Sequence, residues 1–333
     1  MEASAIARVE RTPTHAGHVG LSVVLAVCDL SSAAINAAWR AAMVARELKA
    51  RLLVMYPQAA PKLSSAAGCT AKELRDEIQQ RIQIVIDLQP VSGSVLVSAV
   101  AAARSSAVVV IPSRRGNPLR EWIMGTQAER LIRLCRAPVL VVKRPARSAY
   151  ARVLVAAQLE PAAADLMSMA ASLSLRARLD VLHVLGTAEE SALRDVDAFA
   201  AVSHAGRQYR AQGAYVRLHQ ILAEAGDSTA DAITKVEFGD AADMVLRRAH
   251  TSQCELIVMG KRRRGLLAEY FLGGATQRVL ARAHPDVLVL PLARARAGQP
   301  AQQDTLPAGS RDAEKVDPGR LAVPTPMADA ASR

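Results

Sequence analysis

One segment of this chain occurs twice. Residues Pro112 to Val142 align without a gap on Gly260 to Leu290, 148 positions further on, and nine of the 31 aligned positions are identical. The identities include Arg114/Arg262, Arg115/Arg263, Glu121/Glu269, Gly125/Gly273, Arg130/Arg278 and the triplets Val139-Leu140-Val141/Val287-Leu288-Val289. Solenoid repeats have periods of roughly 20–50 residues, so a period this long means two whole domains in tandem. The 333 residues suit two domains of roughly 150 residues each.

The hydrophobic share is 51% with only 3% aromatic, a composition that builds aliphatic helix-on-sheet packing and points to an α/β protein. The apolar runs Val23 to Cys28 and Ala107 to Ile111 fall far short of the ~20 residues of a membrane span. The first residues carry Glu2, Arg8, Glu10 and Arg11 with no signal-peptide pattern after them. A cytoplasmic protein is therefore expected, with no membrane partner. Cys28, Cys69, Cys135 and Cys254 have neither zinc nor disulfide spacing, and no metal site is expected. The net charge of +11 can mark an anionic partner, but without a basic helix or an aromatic-interleaved platform an arginine-rich surface is the better reading. Nucleic acid is disfavoured as a partner.

The hydrophobic pattern predicts a strand over Leu21 to Cys28, a helix capped by Ser31 or Ser32 running to about Ala50, and a strand over Leu52 to Tyr56. A charged helix over Thr70 to Arg81 and a short strand at Gln83 to Ile86 follow. Ser94 to Arg104 reads as a helix feeding Ala107 to Ile111, an uninterrupted apolar run typical of a parallel strand buried on both faces. A helix over Thr126 to Arg136 and a strand over Val139 to Val142 close the half. The second half repeats this order, with strands at Val153 to Ala157, Leu179 to Val184 and Leu256 to Met259 and helices at Ala162 to Leu173, Glu189 to Gln212 and Ala241 to His250. Its third strand can be either Val216 to Leu222 or Ile233 to Phe238. Right-handed crossovers make each half a doubly wound five-stranded parallel sheet.

From about Val19 to Leu292 this arrangement resembles the universal stress protein family in its tandem two-domain form. In that family strand 1 ends in an Asp before a Ser-containing turn, and strand 4 ends in a Gly-x2-Gly-x9-Gly-(Ser/Thr) loop around the phosphates and ribose of ATP. The first half matches with Asp29-Leu30-Ser31 and with Pro112-x2-Arg115-x9-Gly125-Thr126. The second half reads Gln158-Leu159-Glu160 and Gly260-x2-Arg263-x9-Gly273-Gly274, so its Asp is lost. Each loop keeps two of the four family positions. The resemblance implies two tandem domains of the adenine nucleotide alpha hydrolase-like, universal stress protein type. Their expected bounds are 19–147 and 148–292, between a disordered leader, 1–18, and a disordered tail, 293–333.

The departures bear directly on binding. Glycines let a backbone approach phosphate closely, and the amides of the next helix donate to it. Arg115 and Arg263 put side chains into that space, and Pro112 has no N–H to donate. Guanidinium groups also bind phosphate bidentately, so these loops can hold an anion by side chain instead. The loops can equally be plain connections with solvated arginines. The candidate ATP or anion residues are Asp29, Arg115, Gly125, Thr126, Gly260, Arg263, Gly273 and Gly274, with no cofactor certain and the retained acid and hydroxyl tipping the choice toward the first half. His183 is a weaker candidate, and no nucleophile–base arrangement is found.

The expected function is a non-enzymatic, cytoplasmic stress-response regulator with degenerate nucleotide loops, and the alternative is an ATP-binding or slowly ATP-hydrolysing switch. Its two domains are expected to pair within the chain through Val139 to Val142 and Val287 to Leu290, as the family pairs last strands across dimers. Further homodimerisation and a protein partner are also expected.

Overall fold

The computed structural model describes residues 22–58, 70–113, 127–186, 199–262 and 273–292. The first half runs β1 (Val23–Val27), α1 (Ser32–Glu47), β2 (Arg51–Pro57), α2 (Ala71–Ile82), β3 (Ile86–Val91), α3 (Val95–Ala102), β4 (Ser106–Pro112), α4 (Gln127–Leu134) and β5 (Val139–Val142). The second runs β6 (Arg152–Ala156), α5 (Ala163–Ser172), β7 (Arg178–Leu185), α6 (Phe199–Ala225), β8 (Ile233–Phe238), α7 (Ala241–Thr251), β9 (Leu256–Arg262), α8 (Gly274–Arg282) and β10 (Asp286–Leu292). Residues 1–18 and 293–333, assigned above to leader and tail, lie outside the described residues.

Local chemistry sets the helix starts. The Ser31 hydroxyl accepts from Ala34 N–H at 3.3 Å to cap α1. At α2, Thr70 and Glu73 form a reciprocal capping box, each side chain accepting the other's backbone N–H. Two strands needed the structure to place them. The third strand of the first half begins at Ile86, because Gln83 adopts a left-handed φ of 58° and closes α2 by donating its N–H to Gln79 O. In the second half Val216 to Leu222 is helical, with Leu218, Ile221 and Leu222 buried at helical spacing, and Ile233 to Phe238 is the strand.

Both halves have the strand order expected of a doubly wound sheet. β3-β2-β1-β4-β5 and β8-β7-β6-β9-β10 are each parallel, and β5 pairs antiparallel with β10 to make one ten-stranded sheet. Successive strand side chains alternate between two continuous apolar layers. Val24, Val110, Leu140, Val155 and Val258 pack against α1, α2, α5 and α6, while Leu25, Val109, Val141, Leu154 and Ile257 pack against α3, α4, α7 and α8. Burial on both faces is what the uninterrupted apolar runs implied.

The seam carries the repeat's symmetry. Leu140 faces Leu288, residues one repeat length apart, and both are fully buried, so a pseudo-two-fold axis passes between them. Lysines cross the seam in both directions. Lys261 Nζ donates to the carbonyls of Ile132, Arg133 and Cys135 at the end of α4, and Lys143 Nζ donates to those of Leu280 and Ala283 at the end of α8. These carbonyls have no partner within their own helices, and a cation also suits the negative end of the helix dipole.

One carboxylate breaks the symmetry. Asp286 is fully buried where the repeat partner is Pro138. Its Oδ1 accepts from the amides of Lys143 and Arg144 at 2.7 and 2.8 Å, and its Oδ2 accepts from Tyr150 O–H at 2.7 Å. Arg40 Nε lies 3.4 Å from Oδ2 as an ion pair rather than an aligned hydrogen bond. The same guanidinium donates to Ser148 O and Pro145 O and lies 4.2 Å from the Tyr150 ring centre. Burial, and next the Asp286 charge, push the Tyr150 hydroxyl far above its ordinary value, so it stays a donor. Asn36 completes the connection by donating to Arg144 O and accepting from Ala146 N–H. The connecting segment is thus pinned to α1 and β10 at once.

Removing one member of a buried ion pair strands its partner, at about 3–5 kcal/mol. Asp286→Ala should therefore lower unfolding stability by about that amount in urea titrations, and Asp286→Asn, which keeps a carbonyl acceptor, by less. An unchanged midpoint for Asp286→Ala would show that the strands hold the seam without it.

Candidate functional site

In an open α/β sheet the crevice lies at the carboxyl ends of the strands where the strand order reverses. In the first half this is the junction of β1 and β4, and a cavity of about 380 Å³ opens there. Val27, Val95, Ile111 and Leu131 form apolar walls, and Asp29, Ser94 and Arg130 bring polar groups to it. Asp29 Oδ1 accepts from the Ser31 amide at 3.2 Å and the Ser31 hydroxyl at 2.8 Å, bridging Leu30, whose φ is 64°. The acid therefore holds the strand-to-helix turn at the cavity mouth. Pro112 ends β4 and lines the same space, while Arg115, Gly125 and Thr126 lie outside the described residues.

The matching cavity of the second half measures only about 120 Å³. Gly260 lies within β9 and lines it, but a Cβ added there would come within 2.3 Å of Leu292 Cδ1 and 2.7 Å of its Cγ. The close approach that this glycine permits is taken up by a leucine of the same chain. His183 also lines the cavity, two residues before the end of its strand, with Nδ1 3.0 Å from Ala157 O, which makes Nδ1 the protonated nitrogen. Gly273 and Gly274 begin α8, exposed, with negative or extended backbone and open space around an added Cβ. Arg263 lies outside the described residues. The structure thus gathers Asp29 on one cavity and Gly260 on another.

A cap position outside the candidate ATP or anion residues separates the two sites. Gly93 and Gly239 both have positive φ, 89° and 146°, and each precedes the N-cap of a helix that borders its cavity. In the second half the cap is Asp240. Its Oδ1 accepts from the amides of Ala242 and Asp243, and its Oδ2 accepts from Arg278 at 2.6 Å. In the first half the cap is Ser94, whose side chain makes no cap hydrogen bond. Arg130, the repeat mate of Arg278, pairs with no carboxylate among the described residues. The signal was present in the identity of the two arginines. It was obscured because the caps lie 146 residues apart rather than 148, outside the gapless block.

Burial pushes the Cys135 thiol up to about 11 and Cys254 up to about 12, so both stay protonated, packing thiols. Among the described residues no group of His, Cys, Asp and Glu is arranged to hold a metal ion.

Two measurements check this geometry. Overpacking costs about 1–3 kcal/mol, so Gly260→Ala should destabilise by about that amount, and adding Leu292→Ala should relieve part of the loss. Strict additivity of the two changes would mean that they do not touch. Arg278 and then the Asp243 amide hold the Asp240 carboxyl below its ordinary 3.8. A lowered value stabilises the fold above the unfolded-state value, and the contribution disappears as pH falls through the folded one. The deficit of Asp240→Asn in unfolding midpoint should therefore be present at pH 7 and shrink below about pH 3. A deficit of equal size at both would assign it to shape.

The model of the universal stress protein family matches residues 21–143 and 149–291. Among solved structures, a functionally unknown protein of Pseudomonas aeruginosa PAO1 is 21% identical with a TM-score of 0.57, covering 82% of this chain and 93% of its own. A putative universal stress protein of Pseudomonas aeruginosa UCBPP-PA14 is 20% identical, with a TM-score of 0.56 over 82% and 94%. A universal stress protein of Archaeoglobus fulgidus DSM 4304 is 17% identical, with a TM-score of 0.52 over 82% and 97%. No curated protein matches the chain. The two family matches, one in each half and together covering most of the sequence, show that the chain belongs to the universal stress protein family as a tandem of two domains.

Proposed function

We propose that this protein is a cytoplasmic, non-enzymatic stress-response regulator in which the first domain takes an adenine nucleotide and the second is a structural partner with a degenerate site. The observation that carries this reading is the inequality of the two cavities, about 380 Å³ against about 120 Å³. Only the first reaches the ~300–1,000 Å³ usual for small-molecule sites. Its apolar walls suit a base, and Asp29 stands where the family pattern places its acid. In the second domain Leu292 fills the approach to Gly260, and Gln158 stands in place of the acid.

Asp29 and the flanking Arg115, Gly125 and Thr126 are the residues proposed to hold the ligand in the first domain. Gly260, Arg263, Gly273 and Gly274 are the remnant of the second loop. Among the described residues no helix is long and apolar enough to cross a membrane. Because β5 and β10 already pair with each other, a second copy or a protein partner would have to use another surface.

Calorimetric titration of the full chain with ATP should give one site per chain, with the nucleotide recovered unchanged after prolonged incubation. Absence of binding at millimolar nucleotide removes the ligand from the proposal. Two sites per chain would restore the second domain, and measurable hydrolysis would turn the regulator into a nucleotide switch.

A further inference from the structure

From the contrast between the two caps we infer that Arg130 is the anion-contacting residue of the first-domain cavity, meeting a phosphate group of its ligand, an assignment that rests on the nucleotide reading above. The two domains provide an internal comparison. Arg278 is held by Asp240 Oδ2 at 2.6 Å, with Asp243 beside it raising its charge preference further, and its hydrogen-bonding edge is committed. Arg130 occupies the same place in the repeat and lines the larger cavity, but the residue opposite is Ser94. The two caps have similar extended backbones, φ −79°, ψ 108° at Ser94 and φ −76°, ψ 128° at Asp240, so the difference is one of side-chain chemistry rather than chain path. Serine is neutral and too short to neutralise a guanidinium. The neighbouring carboxylate on α4, Glu129, pairs with Arg133 at 3.5 Å, and Asp29 Oδ1 is engaged by Ser31. The half-buried Arg130, which pairs with no carboxylate among the described residues, therefore brings a positive charge with five fixed donors to a ligand-sized space. A planar guanidinium binds phosphate bidentately, and a charge-assisted bond of this kind is the strong class.

Asp29 and Arg130 then bring charges of opposite sign to one cavity that also has apolar walls. That pattern fits a molecule with a hydroxyl-bearing part, a flat apolar part and an anionic part, the chemistry of a nucleotide rather than a nucleoside.

The test is calorimetric titration of the full chain with ATP, adenosine and inorganic pyrophosphate, in wild type, Arg130→Ala and Ser94→Asp. The readout is the ratio of ATP to adenosine affinity. Loss of one charge-assisted contact should lower that ratio about tenfold or more in Arg130→Ala. Ser94→Asp should lower it similarly by recreating the Asp240–Arg278 pair, while raising the melting temperature because aspartate is a better-engaged cap here. A merely structural defect would lower both affinities together and leave the ratio, overturning the assignment. An unchanged ratio in both variants overturns it too. If circular dichroism shows that Arg130→Ala is unfolded, Ser94→Asp decides. Wild type that binds pyrophosphate through Arg130 but neither ATP nor adenosine keeps the anion contact and removes the nucleotide reading. Adenosine bound as tightly as ATP does the reverse, and no binding of any probe removes both.

Discussion

A single buried carboxylate fixes how the two domains meet. Asp286 accepts from two amides of the connecting segment and from Tyr150 O–H while facing Arg40. A buried charge is tolerable only when its lone pairs and its charge are both answered, and here they are answered from α1, the connector and the start of the second domain. The donors differ along with the acceptor: the repeat mates of Lys143 and Arg144 are Pro291 and Leu292, and Pro291 has no N–H to give, while Pro138 stands where the acid would be.

With the seam secured in this way, the sheet edge that would otherwise be most open to other chains is used up. β5 and β10 are apolar throughout their paired residues, and each is the other's cover. The cavities, by contrast, are built separately. The first is lined by residues between Val27 and Leu131 and the second by residues between Ala156 and Leu292, so among the described residues neither borrows a wall across the seam. Change at one site therefore need not loosen the pairing or disturb the other site. Duplication leaves the architecture symmetric and the chemistry free to diverge.

The architecture was legible in the sequence because it rests on patterns that repeat. The central strands announced themselves as uninterrupted aliphatic runs, and the matching triplets around Leu140 and Leu288 marked the strands that meet. Legibility failed where two apolar patterns competed. Val216 to Leu222 reads as strand or helix until the burial of Leu218, Ile221 and Leu222 on one helical face decides it. The site was less legible still. A glycine at position 260 is the same letter whether it admits a phosphate or a leucine, and only the position of Leu292, more than thirty residues away, tells the two apart. Asp286 and Arg40 were invisible for a similar reason: a charged residue in an apolar run reveals nothing about its partner when that partner is in the other domain.

The two cavities illustrate the two ways in which a polar pocket can settle after duplication. In the second domain Asp240 pairs with Arg278 beside the cavity, His183 in its wall is held by Ala157 O, and an aliphatic side chain has taken the approach to Gly260. In the first domain the cap acid is absent, the guanidinium of Arg130 pairs with no carboxylate among the described residues, and it lines a cavity of about 380 Å³. Water is an adequate partner for a half-buried cation but a replaceable one, and a phosphate oxygen competes with it on favourable terms. The acid that would close that competition is one residue, present in one domain and missing from the other, which is why the difference between a packed domain and a receptive one is concentrated at Ser94 and Asp240.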